Sequence, residues 1–406
     1  MAHLVLYSTH FPTHREPDRD IFTAQLADAL SRKYRVSVVS PIPWCPNLPG
    51  LRNFGACHAY SGLPLHYRRG TIDVYHPRYL LAPRVPLVFQ SWLQIVAIGR
   101  FMERLHIQQH IDAINAHWVC PDGIAAAHIA VRIDRPILLT ALGSDINVSG
   151  ELPQLRRQIA RALGAAEGAS GVSRALAARL LALGARPDWT HYIPNGVNKE
   201  IFTPATAQER ADLFGKLRLD PARKYLVFVG RLHAVKGLEH LVEALSILQN
   251  ARRLDFHTLL IGGGELEHTL QIAINERGLT KMVSLVGKVA HLAVRDWLRI
   301  GDVFCLPSLM EGMPNVVLEA LACGLPIVAS RVGAIPDVVN TESGILVPPG
   351  EPPLLANALE EAMGRSWDRG RIARDAGSLD WHAVADLYSK VIDAIIAQKD
   401  LPSRLI

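Results

Sequence analysis

Phe304-Cys305-Leu306-Pro307-Ser308-Leu309-Met310-Glu311-Gly312-Met313-Pro314-Asn315-Val316-Val317-Leu318-Glu319-Ala320-Leu321-Ala322-Cys323-Gly324 is the stretch that decides how this chain folds. An apolar strand, Asp302 to Leu306, breaks at Pro307 and Ser308. A short loop then carries Glu311, Gly312 and Pro314, and a helix starts at Asn315 and ends at Gly324. A helix that begins just past a strand presents unpaired backbone N–H groups and the positive end of its dipole, so an anion is welcome there. The run Gly312, Met313, Pro314, Asn315 and Val316 is therefore a candidate phosphate cradle. Glu311 and Glu319 are directed at the same opening, and carboxylates accept hydrogen bonds from the paired hydroxyls of ribose and hexose rings. Taken singly, each glutamate is equally well read as a helix-favouring or solvated acid. The helix itself, Val316 to Ala322, is apolar nearly all round and so is buried, where a charge such as Glu319 needs a partner. A phosphate site flanked by two acceptors for sugar hydroxyls suits a nucleotide sugar.

Glu311 and Glu319, eight residues apart within P-S-x-x-E-G-x-P-N-x-x-x-E-A-x-A-x-G-x-P-I-V-A-S (Pro307 to Ser330), resemble the paired-glutamate motif of the retaining GT-B glycosyltransferases, glycosyltransferase family four or glycosyl transferases group 1. That resemblance implies an α/β fold with two Rossmann-like, doubly wound parallel-sheet domains facing across a cleft. It implies an acceptor-binding domain over residues 1–195, a nucleotide-sugar donor domain over 196–378, and a C-terminal helix, 379–406, that crosses back to the first domain.

The numbers agree with such a chain. A length of 406 residues exceeds one hydrophobic core and fits two domains. Hydrophobic residues at 49% with 20% charged residues are a globular balance. Cys45, Cys57, Cys120, Cys305 and Cys323 are odd in number and scattered, with neither disulfide nor zinc spacing, which fits a reducing cytoplasmic compartment. The N-terminus has no basic leader region, and Val85 to Gly99 is polar-interrupted and too short to span a bilayer. Of the net +5, residues 1–190 hold 20 Lys+Arg against 13 Asp+Glu (+7), leaving 23 against 25 (−2) for the remainder. A basic first half attracts anionic substrates or an anionic membrane surface. Nucleic acid is disfavoured, because no recognition motif appears and basic runs stay short.

Along the chain, Leu4 to Ser8 reads as a buried strand, Asp20 to Lys33 as a helix and Tyr34 to Ser40 as a second strand, the opening of a doubly wound unit. No G-x-G-x-x-G follows the first strand, which argues against a dinucleotide dehydrogenase. The resembling family carries a glycine-rich loop here; this chain has Pro17-Asp18-Arg19-Asp20. Residues 41–83, with Pro41, Pro43, Pro46, Pro49 and Arg68-Arg69, read as long loops, either an acceptor-recognition element or a surface insertion. The helix over Val85 to Ile107 carries Phe89, Trp92, Leu93, Val96 and Phe101, read as core packing, with peripheral membrane contact as the second reading. His117 ends the strand Ala113 to Trp118. Alone it is an ordinary structural histidine, but the H-W-x-x-P-x-G context resembles the family segment whose histidine meets the donor sugar. After the strand Ile137 to Ala141, Asp145 either caps the next turn or lines the cleft. Ile193-Pro194-Asn195-Gly196-Val197 resembles the family's hinge, and residues 204–223 read as polar and irregular.

The second half restarts the alternation with Tyr225 to Val229, followed by Gly230-Arg231-Leu232-His233-Ala234-Val235-Lys236-Gly237. Arg231 can bind phosphate bidentately and Lys236 as a point charge, the alternative for either being a solvated loop cation; in the resembling family this G-R-x-x-x-x-K-G segment clamps the donor diphosphate. Gly263, in Gly262-Gly263-Gly264, permits close approach of a nucleotide. Val289 occupies the position whose backbone meets the base in relatives.

Together these residues point to transfer of a hexosyl unit from a nucleotide-diphosphate sugar, with UDP as the base-rate expectation, to a glycan or lipid-linked hydroxyl. Arg231, Lys236 and the helix N-terminus neutralise the leaving group, Glu311 and His117 hold the sugar, and Glu319 holds the ribose. No metal or other cofactor is expected, because Arg231, Lys236 and the helix N-terminus would neutralise the leaving group without one. The competing readings are a nucleotide-sugar epimerase or a phosphorylase on a similar fold, and a catalytically inactive sugar- or lipid-binding protein.

Overall fold

The structure is a computed structural model and describes residues 1–44, 60, 62–80, 85–253 and 255–400. Cys45, Pro46, Pro49 and Cys57, with residues 45–59, 61 and 81–83 of the expected 41–83 recognition loop, lie outside the described residues. The chain divides into two units, Met1–Asn195 with the segment that begins at Trp381, and Gly196–Asp380.

The first unit is built on an eight-stranded sheet. Its strands are β1 (His3–Tyr7), β2 (Arg35–Val39), β4 (His66–Arg69), β5 (Ile72–Tyr75), β7 (Ala113–His117), β8 (Ile137–Ala141), β9 (Gly168–Gly171) and β10 (Thr190–Tyr192). Their order is β10-β9-β8-β7-β1-β2-β5-β4, and every pairing is parallel except β4 with β5. β1, β7 and β8 are buried at every position, as strands covered on both faces must be. Leu4, Leu6, Val36, Val38 and Leu138 pack with the helices Ile21–Leu30 and Trp381–Asp400. The helices Leu87–Gln109, Ile124–Arg132 and Pro153–Ala165 form a second packed group. The last helix is fixed by Tyr34 Oη, which donates to Asp393 Oδ1 at 2.5 Å, and by Trp381 Nε1, which donates to Gln25 Oε1 at 2.8 Å.

Three expectations are corrected here. Residues 41–83 are not all loop. β4 and β5 form a hairpin around Gly70-Thr71, β5 pairs with β2, and β3 (Ile42–Trp44) pairs with β6 (Arg78–Leu80). The alternation of buried Ile72 and Val74 with half-buried Asp73 and Tyr75 drives β5 into the core. Residues 204–223 contain the helix Ala207–Leu217, nucleated by a capping box between Thr206 and Glu209 and held by buried Leu213 and Phe214. In the Leu87–Gln109 helix, Phe89, Trp92 and Val96 are exposed, while Ser91, Gln94, Ile98, Met102 and Leu105 face inward.

The second unit is a six-stranded, wholly parallel sheet in the order β13-β12-β11-β14-β15-β16. The strands are β11 (Lys224–Val229), β12 (Phe256–Ile261), β13 (Val283–Gly287), β14 (Val303–Leu306), β15 (Ile327–Ser330) and β16 (Gly344–Val347). From β11 the order runs outward in one direction through β12 and β13, and in the other through β14, β15 and β16. The loops after β11 and β14 therefore leave neighbouring strand ends in opposite directions. Ligands of open parallel sheets bind at such a switch point. The helix Asn315–Ala322 follows β14 and buries Val317 and Leu318 completely, each contributing about 1.5–3 kcal/mol.

Candidate active site

The two loops at the β11/β14 switch point are joined through backbone and side chain. Leu309 N donates to Val235 O at 2.8 Å, which sets the loop after β14 against the 3₁₀ turn Ala234–Lys236. Lys236 Nζ donates to Glu311 Oε1 at 2.5 Å, and Ser308 Oγ donates to the same oxygen at 2.6 Å. Lys236 and Glu311 side chains are only 17% and 10% exposed, so this pair is shielded from water. Close approach of the loops depends on glycine. Gly237 has φ +63°, and a Cβ there would lie 2.1 Å from Pro307 O; Gly262 has φ +139°, and a Cβ would lie 1.9 Å from Gly230 O.

Only Oε1 of Glu311 is engaged by described residues, so its second oxygen is available to a hydroxyl. Lys236 has three N–H donors and uses one on Glu311. The other two can meet phosphate oxygens. Arg231 is exposed beside Gly230, three residues before the 3₁₀ turn begins. Gly263 and Lys288 stand side by side, since a Cβ at Gly263 would lie 3.8 Å from Lys288 Cβ; Val289 follows, half-buried. Thus the loops after β11, β12 and β13 converge on one rim. Pro314 is the N-cap residue of the Asn315–Ala322 helix and makes no side-chain cap hydrogen bond. Gly312 O accepts from Ala334 N at 2.8 Å, which fixes the loop before that helix, while Met313 is buried and Val316 half-buried.

Glu319 is buried, at 9% exposure, and its partner is His291: Nε2 and Oε1 are 2.7 Å apart. His291 opens the helix His291–Ile300, and its ring meets Phe202 edge-on at 5.5 Å. Sequence reasoning demanded a partner for Glu319 without finding it. The available signal was a histidine two residues after Val289, at the start of a helix on the same strand-end rim.

His117 belongs to the first unit and is placed differently from a surface-lining group. It is 2% exposed, its ring stacks on Tyr388 at 5.9 Å, and neither ring nitrogen has a hydrogen-bond partner among the described residues. Burial lowers its pKa to about 3, so it is a neutral imidazole at neutral pH. His117, expected by resemblance to meet the donor sugar, ends the all-buried strand β7, which draws its side chain inside. Asp145 resolves toward anchoring, since its carboxylate accepts from Gly143 N (2.7 Å) and Val119 N (2.8 Å) and is 1% exposed. In the loop after β1, His10 Nδ1 lies 2.8 Å from Asp20 Oδ2 and the His10 ring is 4.3 Å from that of Trp118. Thr9 donates to Asp122 from both its amide and its hydroxyl, tying the β1 and β7 loops at the first sheet's own switch point. Those five residues, Thr9, His10, Asp20, Trp118 and Asp122, were not among the expected site residues.

The chain is 30% identical over 323 residues to a D-inositol 3-phosphate glycosyltransferase of Paenarthrobacter aurescens, across 73% of this chain and 78% of that protein. It belongs to the group 1 glycosyltransferases. The family described as Glycosyl transferases group 1 matches residues 223–365, and the one described as Glycosyltransferase Family 4 matches residues 21–201. A putative teichuronic acid biosynthesis glycosyltransferase of Bacillus subtilis is 28% identical over 86% of each chain. Among solved structures, Anabaena HepE in complex with UDP superposes with a TM-score of 0.71 at 18% identity, over 97% of this chain and all of that one. This glycosyltransferase thus has the GT-B fold, two units each carrying a parallel sheet. Among its described residues no helix is long and apolar enough to cross a membrane.

Proposed function

We propose that this glycosyltransferase transfers a hexosyl unit from a nucleotide-diphosphate sugar, a UDP-sugar, to a hydroxyl of a glycan or lipid-linked acceptor, with retention at the anomeric carbon and without a metal. Its place of work in this reading is the cytoplasm, at the inner face of the membrane, in the synthesis of a cell-surface polysaccharide or glycolipid. The observation that carries the reading is the shielded Lys236–Glu311 pair at the β11/β14 switch point. It sets a cation and a hydroxyl acceptor side by side, as a diphosphate joined to a sugar requires.

In this mechanism Lys236, Arg231 and the amides at the start of the Asn315–Ala322 helix take up the charge that develops on the departing diphosphate. Preorganised groups of this kind supply about 3 kcal/mol each. Glu311 holds sugar hydroxyls with its free oxygen, and Glu319, oriented by His291, holds the ribose diol. The acceptor attacks from the face the diphosphate leaves, and a phosphate oxygen takes its proton. HepE was solved with UDP, which supports UDP as the nucleotide here. The epimerase and inactive-binder readings have no specific observation in their favour.

Calorimetric titration with UDP, GDP and ADP, with and without EDTA, tests the assignment. Expected is binding of UDP at micromolar concentration that EDTA leaves unchanged and that both Lys236→Ala and Glu319→Ala abolish. Failure of all three nucleotides to bind removes the donor site.

A further inference from the structure

The Leu87–Gln109 helix is inverted along its first half. Phe89, Trp92 and Val96, spaced i, i+3 and i+7 and so on one face, are 55, 59 and 57% exposed. Polar Ser91 and Gln94 are buried in their place. Their inward position has a cause: Ser91 Oγ donates to Pro121 O at 3.0 Å, Gln94 Nε2 donates to Asp122 Oδ1 at 3.0 Å, and Gln94 Oε1 accepts from Tyr7 Oη at 2.9 Å. The apolar side chains outside have no such explanation within the fold. They continue onto neighbouring helices. A groove of about 520 Å³ runs between the helices Leu87–Gln109, Ile124–Arg132 and Pro153–Ala165, with Val88, Trp92, Ile95, Ala127 and Val131 in its lining and Arg161 among its polar residues. Exposed apolar surface of this extent, rimmed by charge, marks an interaction site.

The charge on these three helices is one-sided. They carry Arg100, Arg104, Arg132, Arg156, Arg157 and Arg161 against a single acid, Glu103, which pairs with Arg132. Six less one is +5, equal to the net charge of the whole chain. Arg132 and Arg161 line the groove with no acid among its lining residues, so a second copy of this face would bring like charge against like and self-association is opposed. Tryptophan and phenylalanine among arginines, over an apolar groove, match the boundary between the headgroups and acyl chains of an anionic bilayer. We propose that this three-helix face docks the protein peripherally on an anionic lipid surface, with Phe89, Trp92 and Val96 entering the headgroup region and the arginines meeting lipid phosphates. The proposal goes beyond the donor chemistry and stands on residues outside the second unit.

The test is co-sedimentation of the full chain with vesicles of phosphatidylcholine alone or mixed with phosphatidylglycerol, at low and high salt. Binding is expected to the mixed vesicles only, and to weaken with salt. Each arginine near an anionic surface strengthens partitioning by about fivefold, so Arg157→Glu with Arg161→Glu should weaken it by more than about a hundredfold. Phe89→Ala with Trp92→Ala should weaken it by about tenfold or more. Both double variants alter exposed side chains and should keep the parent melting temperature and UDP affinity, so a failure here is distinct from a failure of the donor site. No sedimentation with mixed vesicles, equal sedimentation with phosphatidylcholine alone, or a dimer in light scattering that Trp92→Ala dissolves would each overturn the proposal.

Discussion

Replacing Lys236 by Met tests whether the Lys236–Glu311 pair organises the site. At 2.5 Å and an effective dielectric of about 20, the Coulomb attraction is about 6–7 kcal/mol. Desolvation of two ions, several kcal/mol each, cancels most of that. What remains is a charge-assisted hydrogen bond of about 1.5–3 kcal/mol. The single variant loses more than this net value, because it leaves the Glu311 carboxylate in a shielded position with Ser308 as its one described partner. About 3 kcal/mol of stability should disappear, read as a shift in the urea midpoint at unchanged slope. Glu311→Gln should cost only about 1 kcal/mol, since the longer lysine can turn to solvent and glutamine still accepts from Ser308. The double variant, with no stranded carboxylate, should recover at least about 1 kcal/mol relative to Lys236→Met, a coupling that a double-mutant cycle reads directly. UDP affinity should fall about a hundredfold in Lys236→Met and stay low in the double variant. If Lys236→Met costs under about 0.5 kcal/mol and Glu311→Gln recovers nothing, the pair is a loose surface contact and the reasoning from its burial fails.

Gly262→Ala should destabilise by more than about 3 kcal/mol in thermal melting, because its Cβ would meet Gly230 O at 1.9 Å and φ is +139°; a melting temperature within a degree of the parent refutes that. His291→Ala should weaken UDP binding about tenfold by releasing Glu319, and His291→Gln should restore part of it, whereas a merely structural histidine would move the melting temperature and not the affinity. His117 predicts a pH effect. Its pKa is about 3 folded against about 6.5 unfolded. The unfolded chain therefore binds the extra proton, and stability is fully present above pH 6.5 and lost as pH falls toward 3. The slope from this residue approaches about 1.4 kcal/mol per pH unit midway. His117→Phe should flatten the urea midpoint between pH 6 and 4; an unchanged slope would show that the buried ring does not resist protonation.

Legibility in the sequence followed how local the cause was. β14, the loop with Glu311 and the helix to Ala322 were readable because proline, glycine and an unbroken apolar run specify each step within neighbouring residues. The parallel sheet of the second unit was readable for the same reason, since strands buried on both faces leave continuous apolar runs. The Ala207–Leu217 helix was also local, in Thr206-x-x-Glu209, and was missed because the polar composition of its exposed side outweighed the cap. β5 was missed because its four residues sit among prolines and arginines, and its partner β2 lies some thirty residues away. What no local pattern holds is a side chain's direction when a distant group decides it. Trp92 points outward because Gln94 is claimed by Asp122 and Tyr7, and His117 points inward because β7 is flanked by β1 and β8. The Glu319–His291 bond likewise joins two helices, Asn315–Ala322 and His291–Ile300, that only the tertiary fold brings together.

The same distinction separates reaction type from substrate. Lys236 and Glu311 are positioned by backbone contacts that tolerate almost no change, a glycine Cβ at Gly237 being excluded by Pro307 O and Leu309 being bonded to Val235. A shielded cation beside a carboxylate at this switch point is the arrangement the proposed function uses to stabilise a leaving diphosphate next to a sugar. The first unit's switch point is bound instead through side chains, Thr9 to Asp122 and His10 to Asp20. Burial alone would lower the His10 pKa, but Asp20 raises it above the ordinary value, and the His10 ring lies 4.3 Å from that of Trp118. If acceptor choice resides there, exchanging His10 and Trp118 should alter which acceptors are used while the UDP titration, which reads Lys236 and Glu319, stays where it was.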